Sequence, residues 1–223
     1  MGGTVGDVAR RAVDVVVALV AAVLLAPVIA AVALLVRSRL GSPVLFRQAR
    51  SGLRAREFVI VKFRTMRPER FPGEPDSARQ SRLGEVLRAA SLDELPQLWN
   101  VLRGDMSLIG PRPTLPEQVV HYSPRQRGRL AVRPGITGWA QVHGRNALSW
   151  PDRIELDLWY LEHRSLMLDL RIVALTVLRL IRPRGVVGDG GVNPGFPVPA
   201  VPHQAAEPAS LPARAGTRAG SGG

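Results

Sequence analysis

Residues Val15 to Val36 form an apolar run of 22 positions without a charge. As a straight helix at about 1.5 Å per residue the run is roughly 33 Å long, enough to cross the hydrocarbon core of a bilayer. No other feature constrains the fold as much, because such a segment must be covered by protein or by lipid. A cleavable signal peptide fits poorly. Arg10 and Arg11 precede the run and Ala31-Val32-Ala33 resembles a cleavage site, but Leu34-Leu35-Val36 carries the apolar stretch past it. A plain transmembrane span meets two objections. Pro27 lies inside the run, where it removes a backbone donor and bends a helix. Arg10 and Arg11 before the run are also matched by Arg37 and Arg39 after it, whereas a spanning helix usually has unequal basic flanks. Equal flanks suit a helical hairpin that enters one leaflet, bends at Ala26-Pro27 and returns to the same face. The residues alone leave span and hairpin equally open.

Around this run the 223 residues divide into four regions, which suits one domain of about 150–200 residues with an appendage. Residues 1–11 are a basic leader and 12–40 the membrane segment. Residues 41–182 carry most of the acids and bases. Residues 183–223, rich in Gly, Pro, Ala and Val, are expected to be disordered because they offer little apolar surface to bury. The absence of cysteine excludes a disulfide framework, a thiolate metal site and a cysteine nucleophile. Lys plus Arg number 30 against 18 for Asp plus Glu, a net charge of +12, nearly all of it before the tail. Such a balance points to partners that carry phosphate: nucleic acid, an anionic membrane surface or a phosphorylated substrate.

The region after Arg37 predicts an α+β, helix-rich fold. Val44-Leu45-Phe46 is a short extended piece, and Glu57 to Phe63 a strand with β-branched and aromatic residues and no breaker. Pro68 to Asp76 is a loop. Helices are expected over Gln80 to Ala90, Leu95 to Leu102, Trp150 to His163 and Leu166 to Ile181, the last apolar enough to lie in a membrane interface. Arg133 to Val142, dense in turn residues around Trp139, is expected to be a loop.

Without cysteine, and with four scattered histidines, the candidate reactive groups are carboxylates. Ser91-Leu92-Asp93-Glu94-Leu95-Pro96 sets two acids side by side before a helix. The spacing has a purely structural explanation, a capping box with Ser91 as N-cap and Glu94 at its third helical position. Pro96 strains it, since that position is expected to donate a backbone hydrogen bond. The chemical alternative uses the same geometry. A carboxylate at a helix N-terminus is kept ionised, a phosphoryl group on it meets free N–H groups, and an adjacent acid can hold Mg²⁺. That arrangement suits an aspartyl-phosphate intermediate. Lys62, the only lysine, and Arg64 end the expected strand, Arg88 lies one helical turn before the acids, and Pro111-Arg112-Pro113 fixes an arginine that can grip phosphate.

These motifs together carry a resemblance. Lys62-Phe63-Arg64-Thr65-Met66, Ser91 to Leu102, Gly104-Asp105-Met106-Ser107-Leu108-Ile109-Gly110-Pro111-Arg112-Pro113 and Arg133 to Val142 resemble the bacterial sugar transferases, the monotopic phosphoglycosyl transferases. The likeness covers about Arg10 to Ile181, is closest to the small members, and stops before the tail. It implies a nucleophilic aspartate at Asp93, a Mg²⁺-binding glutamate at Glu94, and phosphate-binding residues at Lys62, Arg64, Arg88 and Arg112. It also implies a re-entrant hairpin at the cytoplasmic face of a bacterial cell membrane, a nucleotide diphospho-sugar donor (a UDP-sugar) and a polyprenyl phosphate acceptor such as undecaprenyl phosphate, with no nucleic acid. The product would begin a glycan or exopolysaccharide. Two positions depart from the family pattern: Ala26 where Ser commonly precedes the proline, and His143 where Asn is usual. The competing expectation is a membrane-tethered basic protein that binds nucleic acid or anionic lipid without catalysis; sparse aromatics and the absence of a nucleic-acid motif weigh against it. The identity of the sugar and the oligomeric state have no signature here.

Overall fold

The computed structural model describes residues 4–144 and 148–181; the expected tail lies outside the described residues. The chain is helix-rich with two small sheets. Helix α1 (Thr4–Leu24) and helix α2 (Ala26–Leu40) meet at a bend of 62°. Pro27 stands in the first turn of α2, where its missing N–H costs nothing, so the chain breaks at Leu25 and not at the proline. Helix α1 begins at Thr4, so residues 4–11 of the expected leader are its first turns. Among the described residues no single helix is long and apolar enough to cross a membrane, although the bent pair together meets that length and composition.

Each leg of the bend has one face on the rest of the molecule. In α1, Asp14 and Ala18 are buried while Val16, Val20 and Val23 are exposed; in α2, Val32 and Val36 are buried while Leu34 is exposed.

Strands β1 (Leu45–Ser51) and β2 (Glu57–Phe63) form an antiparallel hairpin in register from Leu45 against Phe63 to Ser51 against Glu57. The extended piece expected at Val44 to Phe46 is thus a seven-residue strand, paired along the strand foreseen opposite it. Alternation along β2 sends Ile60 into a core cluster with Ala18, Leu98, Val101 and Met106. Phe63 enters a second cluster with Val32, Val36 and Leu87.

A four-residue helix α3 (Asp76–Arg79) leads to α4 (Arg82–Ala89), capped by the Ser81 hydroxyl, which accepts from Gly84 N at 3.0 Å. Helix α5 (Gln97–Arg103) follows the acid pair and packs along α1. Strand β3 (Ser107–Ile109) pairs in parallel with β4 (Gly135–Thr137) across two short helices, α6 (Pro116–Val119) and α7 (Pro124–Arg127), and a 3-10 turn at Gly128–Ala131. Helices α8 (Trp139–His143), α9 (Trp150–Glu162) and α10 (Leu166–Ile181) complete the described chain. The stretch Arg133 to Val142 is therefore a strand and a helix, not the expected loop. Its turn residues are there because β3 and β4 approach too closely for side chains: a Cβ on Gly135 would lie 2.1 Å from the Gly110 nitrogen.

Candidate active site

The acid pair lies on a single 3-10 turn, Leu92–Glu94, between α4 and α5. Leu92 and Leu95 pack onto the cluster of Phe63 and Leu87, which pins the turn on both sides of the two carboxylates. The capping box is not formed. Ser91 takes a left-handed conformation (φ 55°) with no side-chain cap, because Pro96 cannot sit inside the helix such a cap would start. Pro96 is instead the N-cap residue of α5.

Two cations converge on one oxygen of Glu94. Lys62 Nζ donates to Oε1 at 2.8 Å and Arg112 Nη2 to the same atom at 2.9 Å. Lys62 reaches it from the end of β2, which is fixed to α5 by Asn100: its Nδ2 donates to Val59 O at 2.7 Å and its Oδ1 accepts from Val61 N at 3.1 Å. Arg112 comes from the opposite side on its Pro-flanked segment after β3. The pocket beside that segment is lined by Ser51, Gly52, Thr114 and Arg129 as well as by Arg112 itself.

The electrostatics separate the two acids. Burial pushes the Glu94 carboxyl up, but the charges of Arg112 and Lys62 and their hydrogen bonds outweigh it and hold Glu94 well below the usual carboxylate range. Asp93, which is 8% exposed, is pushed up to about 6 by burial and by the neighbouring Glu94 charge, with Lys62, Arg112 and Arg88 pulling the other way. The 3-10 turn, one turn long, lacks the dipole of a long helix, so burial raises Asp93 above its ordinary range, while a value of about 6 leaves it mostly ionised at neutral pH. Burial also lowers Lys62, against the pull of Glu94. Adjacent acids whose environments drive them apart are a signature of a catalytic site.

Arg88 contributes charge at Asp93 and places Nη1 3.5 Å from Thr65 Oγ1. Arg64 is not brought to the acid pair. Its guanidinium donates to the carbonyls of Leu40 and, at 3.2 Å, Ser42, where it closes the C-terminus of α2. Strict alternation would keep Arg64 on the face that carries Lys62, but β2 ends at Phe63 and Arg64 lies beyond it, where its side chain meets the end of α2.

Sequence reasoning also missed residues. Asn100 and the buried pair Arg129 and Asp157 hold the segments that carry the cations. Asp157 had a readable signal, since it shares the apolar face of α9 with Ile154 and Leu158.

Among the described residues no third His, Cys, Asp or Glu joins Asp93 and Glu94 as a possible metal ligand. Two hard oxygen donors beside two phosphate-sized cations suit an ion such as Mg²⁺, which takes one or two carboxylates and completes its shell with substrate phosphate and water.

Comparison with known proteins gives the family of the chain. The family model described as "Bacterial sugar transferase" matches residues 5–183. The chain is 49% identical over 154 residues to the uncharacterized sugar transferase EpsL of Bacillus subtilis, covering 68% of this chain and 76% of that protein. It is 42% identical over 188 residues to the UDP-glucose:undecaprenyl-phosphate glucose-1-phosphate transferase of Caulobacter vibrioides, covering 78% of this chain and 70% of that one. A protein of the same description from Xanthomonas campestris pv. campestris is 41% identical over 188 residues, but the chain spans only 39% of its length. With the match running from the first turns of α1 past the end of α10, the chain belongs to the bacterial sugar transferase family.

Proposed function

We propose that the chain transfers a sugar 1-phosphate from a nucleotide diphospho-sugar, a UDP-sugar, to a polyprenyl phosphate at a membrane surface, the first step of glycan or exopolysaccharide assembly. The observation that carries the reading is the half-neutralised acid pair, with Glu94 held by Lys62 and Arg112 while Asp93 keeps a carboxyl free of direct ion pairing among the described contacts. Relatives named as UDP-glucose:undecaprenyl-phosphate glucose-1-phosphate transferases support the substrate classes.

An Asp93 carboxylate oxygen attacks the sugar-bearing phosphorus, and the bond from that phosphorus to the nucleoside monophosphate oxygen breaks. The nucleotide leaves with the electron pair. An oxygen of the lipid phosphate then attacks the same phosphorus, releases the Asp93 carboxylate and forms a lipid diphospho-sugar. Glu94 would hold Mg²⁺, which would supply charge neutralisation for the diphosphate. Lys62, Arg88 and Arg112 orient phosphate oxygens; transfer of a phosphoryl group needs mainly such alignment and charge stabilisation. The bent pair α1 and α2 enters one leaflet from the cytoplasmic face and returns to it, its exposed valines and leucines covered by lipid.

A panel of UDP-sugars incubated with undecaprenyl phosphate, with mass detection of the lipid product, tests the activity. Turnover stops in EDTA and returns with Mg²⁺. Radiolabelled UMP exchanges into UDP-sugar without any lipid; a lack of exchange in an enzyme that still turns over would mean direct attack by the lipid phosphate.

A further inference from the structure

Four successive carbonyl groups of the segment that carries Arg112 are each held by a different donor. Pro111 O accepts from Gly135 N at 2.9 Å, Arg112 O from Arg129 Nη2 at 3.2 Å, Pro113 O from Arg50 Nη1 at 3.4 Å, and Thr114 O from Ser51 N at 2.9 Å. Two of the four residues are prolines and bring no N–H, so the carbonyls must carry the fixation. The Arg112 side chain is 48% exposed, and packing alone therefore does not set its direction. Its hydrogen bond to Glu94 anchors one end of that direction, and the backbone that carries it anchors the other.

The donor at Arg112 differs from the other three. Arg129 is a charged side chain only 2% exposed, ion-paired to the equally buried Asp157 of α9. Its Nη1 donates to the Tyr122 hydroxyl at 2.8 Å, and its guanidinium carbon lies 5.9 Å from the Tyr122 ring centre. Tyr122 belongs to the core cluster of Val119, Ile154 and Leu158, so the fork of Arg129 ties the Arg112 backbone to a buried core cluster. A buried ion pair is a weak device for stability, since apolar residues of similar size often serve as well. A planar fork with three fixed partners is a strong device for orientation.

We infer that Arg129, held by Asp157 and Tyr122, is a positioning residue that aims the Arg112 guanidinium at the substrate phosphate. The inference rests on the phosphate-binding reading of Arg112.

The test is a thermodynamic cycle on the full chain. The double variant Arg129→Met with Asp157→Leu removes both buried charges together. It is expected to keep the melting temperature of the parent while kcat for UDP-sugar turnover falls about 10- to 100-fold, as a misplaced catalytic contact does. In an Arg112→Ala background the same double change has no further effect, because the residue being aimed is gone. Tyr122→Phe keeps the ring and removes one partner, and lowers kcat a few-fold at an unchanged melting temperature; it carries the decision if the double variant does not fold. Arg129→Lys keeps the charge without the fork and does not restore kcat. Parent-like kcat in the double variant, or in Tyr122→Phe where that variant must decide, overturns the inference. So does a loss that multiplies with that of Arg112→Ala. If Arg112→Ala itself turns over like the parent, the phosphate-binding reading of Arg112 fails first and takes the inference with it.

Discussion

Asp93 carries a cost that its neighbours only partly offset. Its folded pKa of about 6 lies above the ordinary 3.8, so between roughly pH 4 and 6 the folded chain keeps a proton that the unfolded chain has lost. Stability from this group therefore falls as pH rises through that window, by at most about 3 kcal/mol for a shift of about two pH units. Asp93→Asn has nearly the same shape and never ionises. In EDTA it is expected to melt higher than the parent above pH 6, with the difference closing toward pH 4; a difference that ignores pH would mean the carboxylate is not penalised by its site. The same substitution is expected to abolish transfer, and a parent-like rate would remove Asp93 as the nucleophile. Because attack needs the ionised form, kcat/KM for the nucleotide sugar should rise with pH through about 6.

Helices α1 and α4 place their neighbours through single atoms. Asp14, buried where α1 enters its apolar run, accepts from Leu108 N at 3.0 Å, and Arg11 donates to the carbonyls of Val101 and Leu102 at 2.6 and 3.0 Å. Helix α1 is thus bonded to the C-terminus of α5 and to β3, the two elements that flank the site. Asp14→Ala leaves a buried N–H without its acceptor and should cost about 1–3 kcal/mol in chemical denaturation; no measurable loss would mean water replaces the acceptor. In α4, a Cβ on Gly84 would lie 1.8 Å from Thr65 O, a backbone atom that cannot swing aside. Gly84→Ala should push α4 off the end of β2, destabilise by about 1–3 kcal/mol or more, and lower activity by moving Arg88. An alanine variant as stable as the parent would show that this contact yields.

The whole molecule presents one kind of surface that water does not favour. On α10, Met167, Leu170, Val173, Val177 and Leu178 are exposed, as are Val16, Val20 and Val23 of α1. Burying one such side chain is worth about 1.5–3 kcal/mol, roughly tenfold or more in partition. If α10 lies in the lipid interface, Leu170→Asp with Val177→Asp should reduce flotation with anionic vesicles by at least tenfold and leave the melting temperature in detergent unchanged. Unchanged flotation would place this face against something other than lipid.

Local chemistry was legible wherever a short stretch dictates its own conformation. The β-branched run Glu57 to Phe63 is a strand, Pro27 breaks the apolar run within two residues of itself, and the apolar periodicities at 150–162 and 166–181 are helices. Side-chain type likewise singled out Asp93, Glu94, Lys62, Arg88 and Arg112, which the fold brings together around the acid pair. What sequence could not supply was direction and burial. Only the packed chain turns Arg64 to the end of α2, lifts Asp93 by enclosing it beside Glu94, and pairs β3 with β4 across a Gly–Gly approach that looks like loop composition. Propensity acts over a few residues, whereas desolvation and the partners of a charge depend on segments brought together from far along the chain. Asp157 meeting Arg129, 28 positions away, and through it the carbonyl of Arg112, is settled at that longer range.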